Sequence, residues 1–194
     1  MMTDEARYIQ DTRILTRYRA GLLSRACPIT EIVVHNTGGG ASAEGVIVWQ
    51  AYTCSQAEAS NFNRAVGLFH YLIDFAGAIH SLIPEKEFWC YHSSSGQNDR
   101  NTVGVELLNK SSTNNMPNTE HQYKALALLC RDLLRKHPTI ERIVGHRHNS
   151  MKFSGIDKEC PGSGFDWQQF ILALDLQDIG VKVIDKNALQ VRTG

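Results

Sequence analysis

Val144-Gly145-His146-Arg147 sets a histidine at the end of an apolar run, and Asp157-Lys158-Glu159-Cys160-Pro161-Gly162 then places a lysine two residues before a cysteine at a Pro-Gly turn. Far upstream, Ile32-Val33-Val34-His35-Asn36-Thr37 ends another β-branched run on a histidine. Two imidazoles and a thiolate are good zinc ligands, and three donors are one fewer than the four that close a structural site. The open position is where a zinc ion can acidify a water and aim it at a substrate. His35, His146 and Cys160 are the candidate ligands. With neutral imidazoles and a thiolate, such a site carries a net charge of about +1.

Other residues add to this chemistry. Glu106 lies inside Val103-Gly104-Val105-Glu106-Leu107, and a carboxylate in an apolar strand is costly unless it has a role or a salt-bridge partner. Lys158 shares a side with Cys160 if the segment between them is extended. His146-Arg147-His148 presents two histidines on one face of a strand or extended loop, so His148 stands as an alternative ligand or a supporting group.

The elements that must position these residues follow from periodicity. Residues 30–36 form a strand, broken by Gly38-Gly39-Gly40. Ser42 caps a helix running through Val46, Ile47, Trp49 and Gln50 into the fifties, and residues 53–66 read as a loop. Two apolar runs, 69–74 and 78–83, flank Phe75-Ala76-Gly77 as a hairpin. Residues 102–109 are a strand and 110–118 a polar surface loop. Thr119 and Gln122 make a capping box before a helix with Leu126, Leu129, Cys130, Leu133 and Leu134 on one face. Pro138 ends it, 140–144 is a strand, and Asp166 with Gln169 opens a last helix carrying Trp167, Phe170, Ile171 and Leu174. This interleaving predicts one α/β domain with a central mixed sheet flanked by helices and the metal site in a groove at the strand ends. Residues 1–28 read as a partly helical extension packed on a catalytic domain of residues 29–175, and 176–194 as a tail without clear period.

A chain of 194 residues fits one domain. Its formal net charge of zero excludes a basic field that recruits nucleic acid or anionic lipid. No apolar run approaches the ~20 residues that span a bilayer. Met1-Met2-Thr3-Asp4-Glu5-Ala6-Arg7 lacks the apolar stretch of a secretory signal, so cytoplasmic synthesis is expected. The five cysteines are odd in number and widely spaced, which argues against a disulfide framework. Cys27, Cys54, Cys90 and Cys130 read as ordinary small, buried or half-buried residues.

Five blocks taken together resemble the zinc-dependent N-acetylmuramoyl-L-alanine amidases, the superfamily that includes bacterial cell-wall hydrolases, phage amidase lysozymes and peptidoglycan recognition proteins. They are residues 32–37, Phe69-His70-Tyr71-Leu72-Ile73-Asp74, Trp89-Cys90-Tyr91-His92-Ser93, Thr102-Val103-Gly104-Val105-Glu106-Leu107, and 143–167. Each is weak alone, and the order of all five is specific. The resemblance implies that His35, His146 and Cys160 bind Zn2+, Glu106 is the general base and Lys158 stabilises the oxyanion. Some relatives use a tyrosine before the hairpin histidine, where this chain has Phe69, and this favours the Glu106 route. Tyr91 and His92 match a Trp-His-Ala element lining the substrate groove, and Asn36, Thr37 and Asn101 are candidate contacts to the stem peptide. His70 reads as a support of the sheet, and His80, His121 and His137 as structural or solvated.

The implied activity is hydrolysis of the amide between the lactyl group of N-acetylmuramic acid and L-alanine, in peptidoglycan or its muropeptide fragments, by a monomer. Two roles are open: recycling of soluble fragments, or lysis of intact wall reached by a separate release route, as for an antimicrobial endolysin. Alternatives are a peptidoglycan-binding recognition module that does not cut, and a zinc peptidase of another substrate. Recognition modules of this kind commonly lack one of the ligands that this chain retains.

Overall fold

The computed structural model describes residues 7–18, 22–59, 67–93, 98–174, 180–185 and 188–192. Its centre is three neighbouring parallel strands: β7 (Thr102–Leu107), β3 (Glu31–Asn36) and β8 (Arg142–Gly145). β4 (Tyr71–Ile73) extends them in parallel, and β5 (Ile79–Ser81) turns back antiparallel through the hairpin. β1 (Tyr8–Gln10) pairs parallel with β5 at one edge. At the other edge β10 (Ala188–Arg192) pairs antiparallel with β8, and β9 (Gly180–Asp185) with β10. The sheet is therefore mixed. A separate short ribbon joins β2 (Leu23–Ser24) to β6 (Phe88–Trp89).

Helices cover both faces. α3 (Glu120–Lys136) and α5 (Trp167–Leu174) cover one, where Leu126, Leu129, Leu133 and Phe170 pack on Ile32, Val34, Val103 and Val105. Truncating one of these leucines to alanine costs about 2–5 kcal/mol. α1 (Arg13–Tyr18) and α2 (Ala43–Ala59) lie over the other, with Ile14, Ile47 and Cys54 against Leu72 and Leu82. The capping box forms: the Gln122 N–H donates to Thr119 Oγ1, and the Thr119 N–H to the Gln122 side chain. Asp166 Oδ1 accepts from the backbone N–H groups of Gln168 and Gln169 at the start of α5. No helix among the described residues is long and apolar enough to cross a membrane.

Alternation sets which side chains face the site. Ile32 and Val34 of β3, and Val103, Val105 and Leu107 of β7, enter the core beneath α3. Residues of opposite parity, His35, Gly104 and Glu106, must then point to the other face.

Four segments differ from the sequence expectations. The loop expected at 53–66 begins as helix, because Ile47, Ala51 and Cys54 carry the buried stripe of α2 onward; residues 60–66 lie outside the described residues. The extended segment expected after His146 is instead α4 (His146–Ser154), ended by Gly155 in the left-handed region at φ 67°. The tail forms the β9–β10 hairpin, whose Leu189 and Val191 enter the core once β8 offers them an edge. The N-terminal segment contributes strands β1 and β2 as well as helix α1.

Candidate metal centre and catalytic cleft

His35 is the fifth residue of β3, and its register partner on β7 is Glu106. Val34 pairs with Gly145, so His146, the first residue of α4, emerges beside His35. Cys160 returns on the loop beyond α4. That loop is pinned by the Arg147 N–H donating to the Cys160 carbonyl at 2.7 Å and by Asn36 Nδ2 donating to the Pro161 carbonyl at 2.6 Å. The site thus lies at the carboxyl ends of parallel strands, where open α/β sheets bind ligands.

His35 Nδ1 is 3.1 Å from His146 Nδ1 and 3.7 Å from Cys160 Sγ, and the three donor atoms lie within 4.8 Å of one another. A tetrahedral zinc with ordinary bond lengths separates two nitrogens by about 3.3 Å and a nitrogen from a sulfur by about 3.6 Å. Donor types and spacing therefore fit zinc, with one tetrahedral position left over.

The electrostatics favour this use. Burial, then the neighbouring His146 and His92, holds His35 well below the usual histidine range. Burial and then the Lys158 charge bring His146 down to about 4. Both rings are neutral at neutral pH, the form that ligates a metal. Burial and the Glu106 charge raise the Cys160 thiol, so metal binding there must release a proton. Glu106 Oε1 stands 4.0 Å from His35 Nδ1, and its Oε2 is buried without a hydrogen-bond partner among the described residues. Burial lifts this carboxyl to about 8. His146 Nε2 makes no hydrogen bond of good geometry among the described residues, although the Ser93 backbone approaches closely enough to favour the protonated ring.

The centre floors a cleft of about 910 Å³. Lys158, Asn36, Thr37 and Tyr91 line it, joining His35, His146, Cys160 and Glu106. Thr37 Oγ1 also donates to the Asn109 carbonyl and accepts from the Asn109 N–H, and the Asn36 amide is engaged with Asn118 and Pro161, so both side chains brace the wall.

Three expectations change. Asn101 stands away from the cleft, because it closes the 3-10 turn at the start of β7, the opposite end of the strand from Glu106. His92 touches the cleft floor, but its side chain is 1% exposed and both ring nitrogens are engaged, with His35 Nε2 and Thr102 Oγ1, which leaves no polar atom for substrate. His148 does not share a face with His146, because two helical steps turn it by about 200°.

His70 braces the sheet: its Nδ1 accepts from the Gly104 N–H at 3.0 Å. Cys54, Cys90 and Cys130 are buried, Cys27 is exposed, and none of the five cysteines is in a disulfide. Trp49 and Asn114 also line the cleft, and neither is marked as a site residue by the sequence. Trp49 is 56% exposed on α2, where a core-facing pattern carries no signal for it. Asn114 sits at φ 54° and accepts the Gly38 N–H at 2.9 Å, so the 110–118 surface loop is pinned to the glycine segment at the cleft rim.

Two histidines and a cysteine gathered at the ends of parallel strands in an α/β domain form a cluster that could hold a metal ion. The Amidase_2 family pattern, N-acetylmuramoyl-L-alanine amidase, matches residues 25–163, and the chain belongs to this family. The fold is similar to that of a selenomethionine derivative of AmpD, at 21% identity and TM-score 0.62, covering 88% of this chain and 94% of that one. It is similar to the Ph2119 endolysin from Thermus scotoductus MAT2119 bacteriophage Ph2119, at 18% identity and TM-score 0.63, covering 87% and 99%. Drosophila peptidoglycan recognition protein SD shares it at 18% identity and TM-score 0.57, covering 88% and 95%. A search of the curated proteins returns no match.

Proposed function

We propose that this protein is a zinc-dependent amidase that cleaves the bond between N-acetylmuramic acid and the L-alanine of the stem peptide. The observation that carries the proposal is the half-buried Glu106 carboxyl group, whose Oε1 lies 4.0 Å from Nδ1 of His35, beside three donors spaced for zinc. His35, His146 and Cys160 would hold the ion. When bound, zinc supplies Lewis acidity that polarises the scissile carbonyl and lowers the pKa of water.

The chain's own residues do the rest. Glu106 takes the proton of the attacking water and delivers it to the leaving amine of L-alanine. Lys158, on the cleft wall, places an ammonium where negative charge develops on the carbonyl oxygen. Tyr91, packed edge-on against Trp89 at 4.8 Å, offers a braced ring to the lactyl or sugar face. Asn36 and Thr37 keep the wall in shape. Residues 29–175 form the catalytic unit, which acts as a monomer.

A second reading is a recognition module that binds peptidoglycan without cutting it. Its support is the fold shared with peptidoglycan recognition protein SD. The two are separated by incubating the protein with a defined muropeptide and with intact sacculi, with chelator and with zinc restored, followed by mass spectrometry. Stem peptide with a free L-alanine amino terminus, lost on chelation and regained with zinc, supports the amidase. Binding without release by zinc-loaded protein supports the module. The relative rates on the two substrates separate fragment recycling from wall lysis.

A further inference from the structure

We propose that His92 is a positioning residue for the metal centre: it accepts the Nε2 proton of His35 and thereby turns the Nδ1 lone pair of His35 toward the ion. The inference rests on the zinc reading above.

A neutral imidazole binds a metal through its unprotonated nitrogen, and the hydrogen bond at the other nitrogen decides which one that is. His35 Nδ1 faces His146 and Cys160, so its proton must reside on Nε2. His35 Nε2 lies 3.1 Å from His92 Nδ1, which must then accept and carry its own proton on Nε2. His92 Nε2 is 2.8 Å from Thr102 Oγ1. The Thr102 hydroxyl in turn donates to the Asp99 carbonyl at 3.3 Å, leaving its oxygen lone pairs for His92. The opposite tautomer of His92 would donate to His35 Nε2 and move the His35 proton onto Nδ1, where the metal belongs.

Two further observations bias the relay the same way. The fully buried Asp99 carboxylate lies 3.7 Å from His92 Nε2, so its negative charge favours a proton on that nitrogen. The same carboxylate accepts the backbone N–H groups of His92 and Ser93 and the Ser93 hydroxyl, which holds the segment beneath His35. The ring lies flat against Gly104, where an added Cβ would stand 2.7 Å from His92 Cγ. This glycine makes the space in which the His92 ring can reach His35 edge-on, at 87° between planes.

The test combines ring-nitrogen NMR of the metal-free chain with zinc affinity by chelator competition. Protons on Nε2 of both His35 and His92 are expected. His92→Phe keeps the ring and removes the acceptor, and should weaken zinc binding about 10–100-fold. His92→Asn returns an oxygen acceptor near the Nδ1 position and should recover part of that loss. A proton on Nδ1 of His92, or a folded His92→Phe protein with native zinc affinity, overturns the proposal. If His92→Phe does not fold, the tautomers of the native chain decide. If the native chain shows the expected tautomers but binds no zinc, the zinc reading fails and the relay stands as a structural feature only.

Discussion

His35 and Glu106 are register partners on adjacent parallel strands, with Glu106 Oε1 4.0 Å from His35 Nδ1. Register partners in neighbouring strands send their side chains to one face, and a slip of one residue would send one of them into the core beneath α3. Glu106→Gln keeps the shape and removes the base. Turnover should fall about 10²–10⁴-fold, with zinc content unchanged by elemental analysis. A variant with near-native rate would take the base role away from Glu106.

Lys158 acts on developing charge, so its loss should appear in kcat more than in KM. Lys158→Met should lower kcat by about 10²–10³-fold, the range found for removing one oxyanion donor. Steady-state kinetics on a defined muropeptide measures both constants. A rise in KM alone would make Lys158 a binding residue.

Cys160→Ser replaces a thiolate with a hydroxyl that does not ionise near neutral pH. Zinc affinity should fall, and a chelator should strip the variant at concentrations that leave the native chain loaded. Unchanged stoichiometry and affinity would remove Cys160 from the ligand set.

Gly104→Ala drives a methyl to 2.7 Å from His92 Cγ and 2.9 Å from His92 Cδ2. Overpacking of this kind costs about 1–3 kcal/mol. The expected result is a lower denaturation midpoint together with weaker zinc binding, because the ring that must move is the one against His35. Native stability would show that the ring shifts freely.

Burial pushes His35, His70, His92 and His146 below the usual histidine range, His92 to about 3. The folded state keeps them neutral while the unfolded chain protonates them near pH 6.5. Stability is therefore fully present above that value and is lost as pH falls toward the folded values, at about 1.4 kcal/mol per pH unit for each histidine. Denaturant melts of metal-free protein at pH 7 and pH 5 should differ strongly. His70→Phe should shallow the slope, since it removes a titrating group that is not one of the three candidate ligands. Equal midpoints at the two pH values would show that the rings are not held neutral.

Sequence by itself determined the main frame of this protein. The runs at 30–36, 102–109 and 140–144 read as strands and overlap β3, β7 and β8, and the Thr119–Gln122 pair announced α3, because local periodicity and capping depend on near neighbours alone. His35, His146, Cys160, Glu106 and Lys158 were marked out by residue type at strand ends and turns together with the resemblance of the five blocks, and all five line one cleft. Tertiary structure decided what depends on distant partners. The tail became β9 and β10 because β8 offers an edge that no local pattern records. The polar stretch after Gly145 became α4, which carried His148 away from the centre. His92 passed from the cleft wall to the back of His35 because a missing Cβ at Gly104, on another strand, made room for its ring. The proposed proton placement along His35, His92 and Thr102 likewise joins β3 to a segment remote from it in sequence, and only packing brings the two together.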